Sequence, residues 1–514
     1  MIFNFLVMSG FSPAVTVLSL WRLLCCLLAI LSVYLAGWTI YTLFFHQLSR
    51  YPGPKLAAIT PLVHLLWDIQ GKQHSTIKRL HDQYGDVVRI APNALAYRAA
   101  SAWKDIYGHR KKGQKIFLKD PALYSPTPNG VNAIITANEN DHSRMRRLLT
   151  HAFSNKALGE QEEILQTYAD ILIEKLHGTI GNAVSQRIDI ARWFNFTTFD
   201  LIGDLAFGEP FGCLSNSTYH WWVLIILDAV KASAYLKIFW FYPFLVPLVK
   251  LLVPKHLIEK RESSFKLSVE KVRRRLAQGT TRPDFTSYIL KHAKDGKGMT
   301  PSEMDANSAV FVLAGSETTA ALLSGCTYYL LRNRTTYNRL VQEIRDAFQK
   351  ESDIKLSALI ELPYLNAVLT EAMRIYPPIP SMLPRIVPEG GAMINDRYVP
   401  ANVSVSISLY SSFHSAAHFK NPQAFVPERW LNESDEYSTD RKDAFQPYSY
   451  GPRNCLGQHL ANAEMRLILA KFLWHFDLEL LPESLDWENQ KSFSLWKRPE
   501  LMIKLYRAGA RSAM

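Results

Sequence analysis

The stretch "YSYGPRNCLGQHLANAEMR", residues 448–466, sets a single cysteine, Cys455, between Gly451 and Gly457, two residues after Arg453 and at the head of a helical pattern. A thiol placed this way is either inert core packing or a ligand that must meet something bulky at close range. Glycines on both sides fit a ligand that approaches a flat group, since a residue without Cβ adds no bulk, and both readings stand until the surrounding motifs are taken together. A helix starting near Gln458 also aims its first amide dipoles at the sulfur, which stabilises an anion there.

The rest of the chain narrows the chemistry. Five cysteines in 514 residues, with no CxxC pair, exclude a disulfide scaffold, a zinc ribbon and covalent haem attachment through CxxCH, and they suit a reducing compartment. A 48% hydrophobic composition excludes a disordered chain. Lys and Arg outnumber Asp and Glu by 58 to 46, a formal +12, which suits an anionic membrane surface or an acidic protein partner; no nucleic-acid partner is expected. "GHRKKGQKIFLK", residues 108–119, imitates a phosphate loop, but Gln114 stands where the lysine belongs, so a solvated basic loop is expected.

Residues Leu23 to Phe45 are uncharged and long enough to cross a hydrocarbon core of about 30 Å as a helix, with Trp38 and Tyr41 near the far end. No small-residue cleavage pattern follows, so the segment reads as a membrane anchor and not a signal peptide. Arg50 and Lys55 downstream against Arg22 upstream place the C-terminal bulk in the cytosol. Asn-x-Ser/Thr triplets at Asn195, Asn216, Asn333, Asn402 and Asn432 would argue for the opposite side if any carried glycan. The "YPGPK" run, residues 51–55, stops the helix and stiffens the exit. The expected organisation is an anchor with its flank at 1–50 and one catalytic domain at 51–514, single-pass.

Past residue 130 the pattern is mostly helical, without repeats. In "TPSEMDANSAVFVLAGSETTAALLSGCTYYLLRN", Thr300 and Glu303 make a capping box around Pro301, and the apolar pattern runs on to about Leu331. Thirty-odd residues at about 1.5 Å each give a helix near 45–50 Å long, which must cross the domain. In its middle, "AGSETT" sets Ala314 and Gly315, with room for something flat, before Glu317, Thr318 and Thr319. A carboxylate inside an apolar helix is costly unless it is used. Glu371 and Arg374 in "LTEAMRIYPP" share a helical face, and "FVPERWL" adds Glu428 and Arg429, to which a third charged partner could complete a buried network.

Taken in order, AGxET, ExxR, PERW and GPRxCxG resemble the cytochrome P-450 superfamily, and the resemblance covers the chain after the anchor. It implies a mainly α fold with a smaller β region behind an N-terminal transmembrane helix, and haem b (iron protoporphyrin IX) ligated by Cys455, the thiolate ligation typical of that superfamily. Tyr448 stands where the family usually has phenylalanine, and its hydroxyl needs a partner. By the same resemblance Arg453 holds a haem propionate, helped by Arg146, by His142 at the family's usual tryptophan position, and by Arg385. Glu317 and Thr318 match the acid and alcohol that deliver protons during dioxygen activation, while Thr319 reads as structural. Glu371, Arg374 and Arg429 match the family's structural network.

The resemblance further implies an oxidoreductase, a haem-thiolate monooxygenase that inserts one oxygen atom from O2 into an apolar small molecule. No flavin or nicotinamide fingerprint is present, so electrons come from a separate protein. The expected donor is the NADPH-cytochrome P-450 reductase of the endoplasmic reticulum membrane, with cytochrome b5 as a second donor. "DIYGHRKKGQKIFLKDP", "DHSRMRRLLTHAFS" and "NPQAFVPERWL" are similar to fungal secondary-metabolism members of the isotrichodermin hydroxylase-like branch, which implies a polyketide, terpenoid or alkaloid substrate. The apolar stretch Trp221 to Pro254 is either a cover over the active site, dipping Trp240, Phe241 and Phe244 into lipid, or ordinary core. Two rival readings are a non-catalytic membrane haem protein that senses or carries a ligand, and a reductase-independent isomerase or dehydratase. Glu317 with Thr318 argues against both.

Overall fold

The computed structural model describes residues 13–509 apart from positions 112, 125–126, 128, 280–281, 292–297, 432 and 434; between 222 and 254 it describes only 237, 241, 242, 244 and 247. The helices that position the site are α1 (Pro13–Ile40), α2 (Glu139–Thr150), α3 (Asn155–Ile180), α4 (Ile190–Phe207), α5 (Pro301–Arg332), α6 (Arg334–Ala347), α7 (Pro363–Ile375) and α8 (Gln458–His475).

Helix α5 begins as its sequence directs. Thr300 Oγ1 accepts from the Glu303 amide, the Glu303 carboxylate accepts from the Thr300 amide at 2.8 Å, and Pro301 occupies the first turn. The helix is buried along most of its length and packs on α4, itself buried almost all round. Gly315 makes that crossing possible, since a Cβ there would lie 2.6 Å from Ile202 Cδ1. Its smallness therefore serves helix packing toward Ile202; of the two residues read as leaving room for a flat group, Ala314 is exposed and Gly315 half-buried.

Among the described residues, twelve short strands form the smaller β region. One sheet has the order β1 (Val87–Ala91), β2 (Ala94–Tyr97), β8 (Ser404–Ile407), β5 (Arg385–Ile386), β3 (Leu118–Lys119), with only β2 and β8 parallel. A second, antiparallel, runs β4 (Ser185–Asp189), β12 (Met502–Arg507), β9 (Phe476–Leu480). Two hairpins, β6–β7 (Ala392–Ile394, Arg397–Val399) and β10–β11 (Lys491–Phe493, Leu495–Lys497), complete it. A large helical core and a smaller core under the first sheet meet at Phe445, which packs against both, so the loop leading to Cys455 runs along their seam.

The apolar segment Leu18–Phe45 is helical, unburied, and long and apolar enough to cross a membrane; Pro301–Arg332 passes the same test of length and composition but is mostly buried core. This N-terminal helix is not loosely tethered. Trp38 Nε1 donates to the Ile59 carbonyl at 2.8 Å, and the buried Arg89 of β1 donates to the Thr42 carbonyl at 2.9 Å and contacts His46 Nδ1 at 3.2 Å. In the proline-rich exit, a Cβ on Gly53 would lie 2.3 Å from the Arg89 carbonyl oxygen, so the glycine lets the exit press against β1.

Candidate functional site

The Cys455 loop is fixed from both ends. The Cys455 amide donates to the Tyr448 carbonyl at 2.8 Å, and the Tyr448 hydroxyl finds its partner in Asn462 Oδ1 of α8, also at 2.8 Å. Gly451 adopts φ +77°, and a Cβ there would lie 2.0 Å from the Tyr107 carbonyl oxygen. The backbone it packs against demands this glycine. Gly457 differs: a Cβ would meet only the Phe153 ring, at an ordinary 3.8 Å, and its amide donates to the sulfur. Outside the anchor, Cys213 and Cys326 are buried and Cys455 is exposed. Its sulfur is reached by solvent yet walled by protein, so burial raises the thiol pKa, with the Gly457 amide and Arg146 working against the rise.

On α5, Ala314 is exposed in the middle of a buried helix, and Val310, Leu313 and Thr318 are half-exposed beside it. Val310, Ala314 and Thr318 follow one another at four-residue intervals with Leu313 alongside, so the four form one open stripe. Thr318 lies on the stripe with its hydroxyl donating to the Ala314 carbonyl at 2.7 Å. Glu317 turns away into the interior, where its Oε2 meets Arg498 Nη2 at 2.7 Å and its Oε1 is buried without a partner. Thr319 is buried against Glu464 of α8, whose carboxyl is raised well above the usual range by burial, the Thr319 hydroxyl opposing.

A cluster of cations forms beside the loop. Register pairs Lys119 of β3 directly with Arg385 of β5. Arg453 donates through Nε and Nη2 to Glu139, at 3.2 and 3.0 Å, and its Nη1 is buried without a partner. Arg385 is buried with its guanidinium 5.3 Å from the Tyr107 ring, and the Lys119 ammonium lies 4.4 Å from the Tyr124 ring. Arg146 of α2 reaches the Asn454 carbonyl and Oδ1, both at 2.6 Å. Burial depresses the Lys119 ammonium well below its usual range, Arg385 and Arg453 adding to the effect. Burial, then Arg453, Arg146, Lys119 and Arg385, push His142 down to about 3, so it stays neutral.

Like charges directly opposite on neighbouring strands destabilise a sheet unless an anion lies between them. Of these cations, Arg453 pairs with Glu139 and Lys119 feels its charge, while Arg385 and Arg146 make no ion pair with it, and Arg453 keeps an unused donor. This donor set fits a group carrying more than one carboxylate, and guanidinium forks are matched to carboxylate geometry. An accessible thiol, an open glycine and a cationic edge are what a haem with its two propionates requires, so the residues fit that group. Lys119 escaped the sequence reading, which made it part of a solvated loop; nothing in its local pattern signals a partner in β5. Arg498 and Glu464 also escaped it.

Away from the opening, Glu371, Arg374 and Arg429 lie in one buried cluster, and the further charged partner is Asp440, which accepts from Arg429. Glu428 instead faces Arg339 and the Tyr364 hydroxyl. In the stretch 221–254, Trp240 lies outside the described residues, whereas Phe241 and Phe244 are exposed. Asn195 is buried against Arg498 and Tyr219, which bars glycan there, and Asn432 lies outside the described residues.

Comparison with known proteins gives a consistent result. A sequence model of the cytochrome P450 family matches residues 52–505. The chain is 48% identical over 469 residues, 91% of its own length and 93% of the relative's, to cytochrome P450 monooxygenase astJ of Aspergillus oryzae (strain ATCC 42149 / RIB 40). It is 44% identical to cytochrome P450 monooxygenase efuB of Hormonema carpetanum, over 91% of this chain and 93% of that one. With the trichothecene C-15 hydroxylase of Fusarium sporotrichioides it shares 41% identity over 95% of this chain and 99% of that one.

Proposed function

This chain belongs to the cytochrome P450 family and is a haem-thiolate monooxygenase, and on that premise we propose that Cys455 is the axial thiolate ligand of a b-type haem and that the enzyme oxygenates an apolar fungal secondary metabolite. The observation that carries the ligand assignment is the exposure of Cys455, outside the anchor, where Cys213 and Cys326 are buried. Haem supplies the site where dioxygen is reduced and one oxygen atom passes to substrate.

The chain's own residues do the rest. The Gly457 amide and Arg146 stabilise the sulfur anion. Arg453, with Arg146, Arg385, Lys119 and neutral His142, binds the propionates, Arg453 Nη1 being a donor in hand. Thr318 offers its hydroxyl on the open stripe of α5 to steady a proton donor, and Glu317 supplies the acid. Residues 1–50 hold residues 51–514 at the endoplasmic reticulum membrane. Leu56, Leu62, Leu66, Phe241 and Phe244, all exposed, offer lipid contact through which an apolar substrate arrives. A redox partner delivers the electrons; the basic surface suits the acidic docking face of NADPH-cytochrome P-450 reductase, with cytochrome b5 as a second donor. One relative is named for hydroxylating a trichothecene, which supports a fungal secondary metabolite of the polyketide, terpenoid or alkaloid class as substrate.

Cys455→Ser tests the ligand assignment. The variant should lose the red-shifted Soret band that the reduced thiolate-ligated haem gives with carbon monoxide. A retained band would move the ligand to Cys213 or Cys326. Incubation of candidate substrates with isotopically labelled dioxygen tests the reaction: one labelled atom in product is expected, and unlabelled product would mean an isomerase or dehydratase.

A further inference from the structure

Arg498, in the irregular segment that follows β11, meets Glu317 of α5 across 181 residues of sequence, and the two side chains are 5% and 4% exposed. The contact is single-point. Glu317 Oε2 takes Arg498 Nη2 at 2.7 Å, while Glu317 Oε1 and Arg498 Nη1 are both buried without a partner. Arg498 Nη2 also donates to Asn195 Oδ1 of α4 at 2.9 Å, and Asn195 Nδ2 donates to the Tyr219 hydroxyl at 3.0 Å. Burial opposes the guanidinium charge, but Glu317, Tyr376 and Tyr219 outweigh it and hold the group above its ordinary value. Those three are the titratable groups that face Arg498.

A pair selected for stability alone gains by closing both contacts, as a carboxylate and a guanidinium do when they meet fork to fork. Here two opposite half-charges are buried without a protein partner, which is costly unless they are used. The open oxygen belongs to the residue next to Thr318, whose hydroxyl lies on the stripe that faces the opening. We infer that Arg498 is a positioning residue for proton delivery: it fixes the Glu317 carboxylate through Oε2, so that Oε1 alone takes a proton relayed from solvent and passes it on toward Thr318, restoring the carboxylate each time. The inference rests on the reading of Glu317 and Thr318 as the acid and alcohol.

The test uses the full-length, haem-loaded, membrane-bound enzyme with its reductase, in Arg498→Met, Arg498→Lys, Glu317→Gln and Glu317→Gln/Arg498→Met forms. Two quantities are read with NADPH and dioxygen alone as probes: the share of electrons ending as hydrogen peroxide, and its pH profile. A third needs no turnover: the infrared carbonyl band of a protonated carboxylic acid in the resting protein. Without the guanidinium, Glu317 is a buried carboxylate with no counter-charge, which favours its protonated form. Arg498→Met should therefore gain an acid band that disappears in the double variant. Its peroxide share should rise several-fold and become pH-dependent, and Arg498→Lys should restore most of the wild-type behaviour.

The double variant should be no worse than Glu317→Gln, because both changes break one path. If Arg498→Met keeps the wild-type peroxide share, or shows no band that depends on Glu317, Arg498 does not position the acid. If Glu317→Gln alone leaves the peroxide share unchanged, the acid reading itself fails and this inference with it. Should Arg498→Met not accumulate with haem, Arg498→Lys and the double variant decide the matter, since the first keeps the charge and the second removes both.

Discussion

Glu371→Ala should prevent haem-loaded protein from accumulating, and the structure sets the size of the effect. The two Glu371 oxygens accept from Arg374 Nε at 2.9 Å and Nη2 at 2.7 Å, from Arg429 Nε at 3.2 Å, from Trp430 Nε1 at 2.9 Å and from the Val426 amide at 2.9 Å. Once the carboxylate is gone, Arg429 keeps Asp440 and the Lys420 carbonyl, whereas Arg374 keeps only the carbonyls of Phe413, Pro422 and Ala424. One buried charge is then left without a counter-ion, worth about 3–5 kcal/mol. The orphaned Trp430 and Val426 donors each add about 1 kcal/mol or more. A loss near 5 kcal/mol takes most of the ~5–15 kcal/mol that holds a domain together. The damage falls on the segment between Pro427 and Phe445 that feeds the Cys455 loop.

The assay is yield, haem content and urea midpoint beside Glu428→Ala as a control. Glu428 is 32% exposed, meets Arg339 only at 3.4 Å and accepts from the Tyr364 hydroxyl at 2.7 Å, so its loss should cost about 1–2 kcal/mol. Wild-type yield and midpoint in Glu371→Ala would show that Arg374 relaxes to solvent and that the cluster is not the latch described.

Thr318→Ala should leave the carbon monoxide spectrum unchanged and divert NADPH electrons from product to hydrogen peroxide, about a 10²-fold loss in productive turnover for a lost proton-transfer role; unchanged product per NADPH would confine Thr318 to its bond with Ala314. Stability should fall on acidification below the ordinary histidine range, because burial lowers His74 and His81 to about 4 and His414, with Arg374 adding to the effect, to about 3. These groups stay neutral in the folded state while the unfolded chain takes protons as pH falls from about 6.5, so each contributes stability that is full above 6.5 and lost toward 4, about 1.4 kcal/mol per pH unit. A urea midpoint that does not move between neutral pH and pH near 5 would contradict this. Removal of residues 1–50 should release the protein from membranes and leave the haem spectrum intact, though the bonds of Arg89 to Thr42 and His46 are lost and a small drop in melting temperature is expected.

What could be read from the sequence was whatever is local in the chain. The capping box at Thr300 and Glu303, the apolar run of α5, the glycines around Cys455 and the three-residue spacing of Glu371 and Arg374 all act within a turn or two of backbone, so residue order carries them. What escaped depends on tertiary pairing. Lys119 becomes part of the cation cluster only because β3 pairs with β5 and sets it opposite Arg385. Arg498 reaches Glu317 from 181 residues away through the irregular segment after β11, and a lone arginine before a proline has no local signature of a partner. Glycines show the limit most plainly: Gly315, Gly451 and Gly457 look alike beside their motifs, yet the first is required by Ile202 of α4, the second by the Tyr107 carbonyl, and only the third faces open space next to the sulfur. A glycine beside a functional residue states that something comes close, and only the fold says whether that something is another helix, another loop or the ligand.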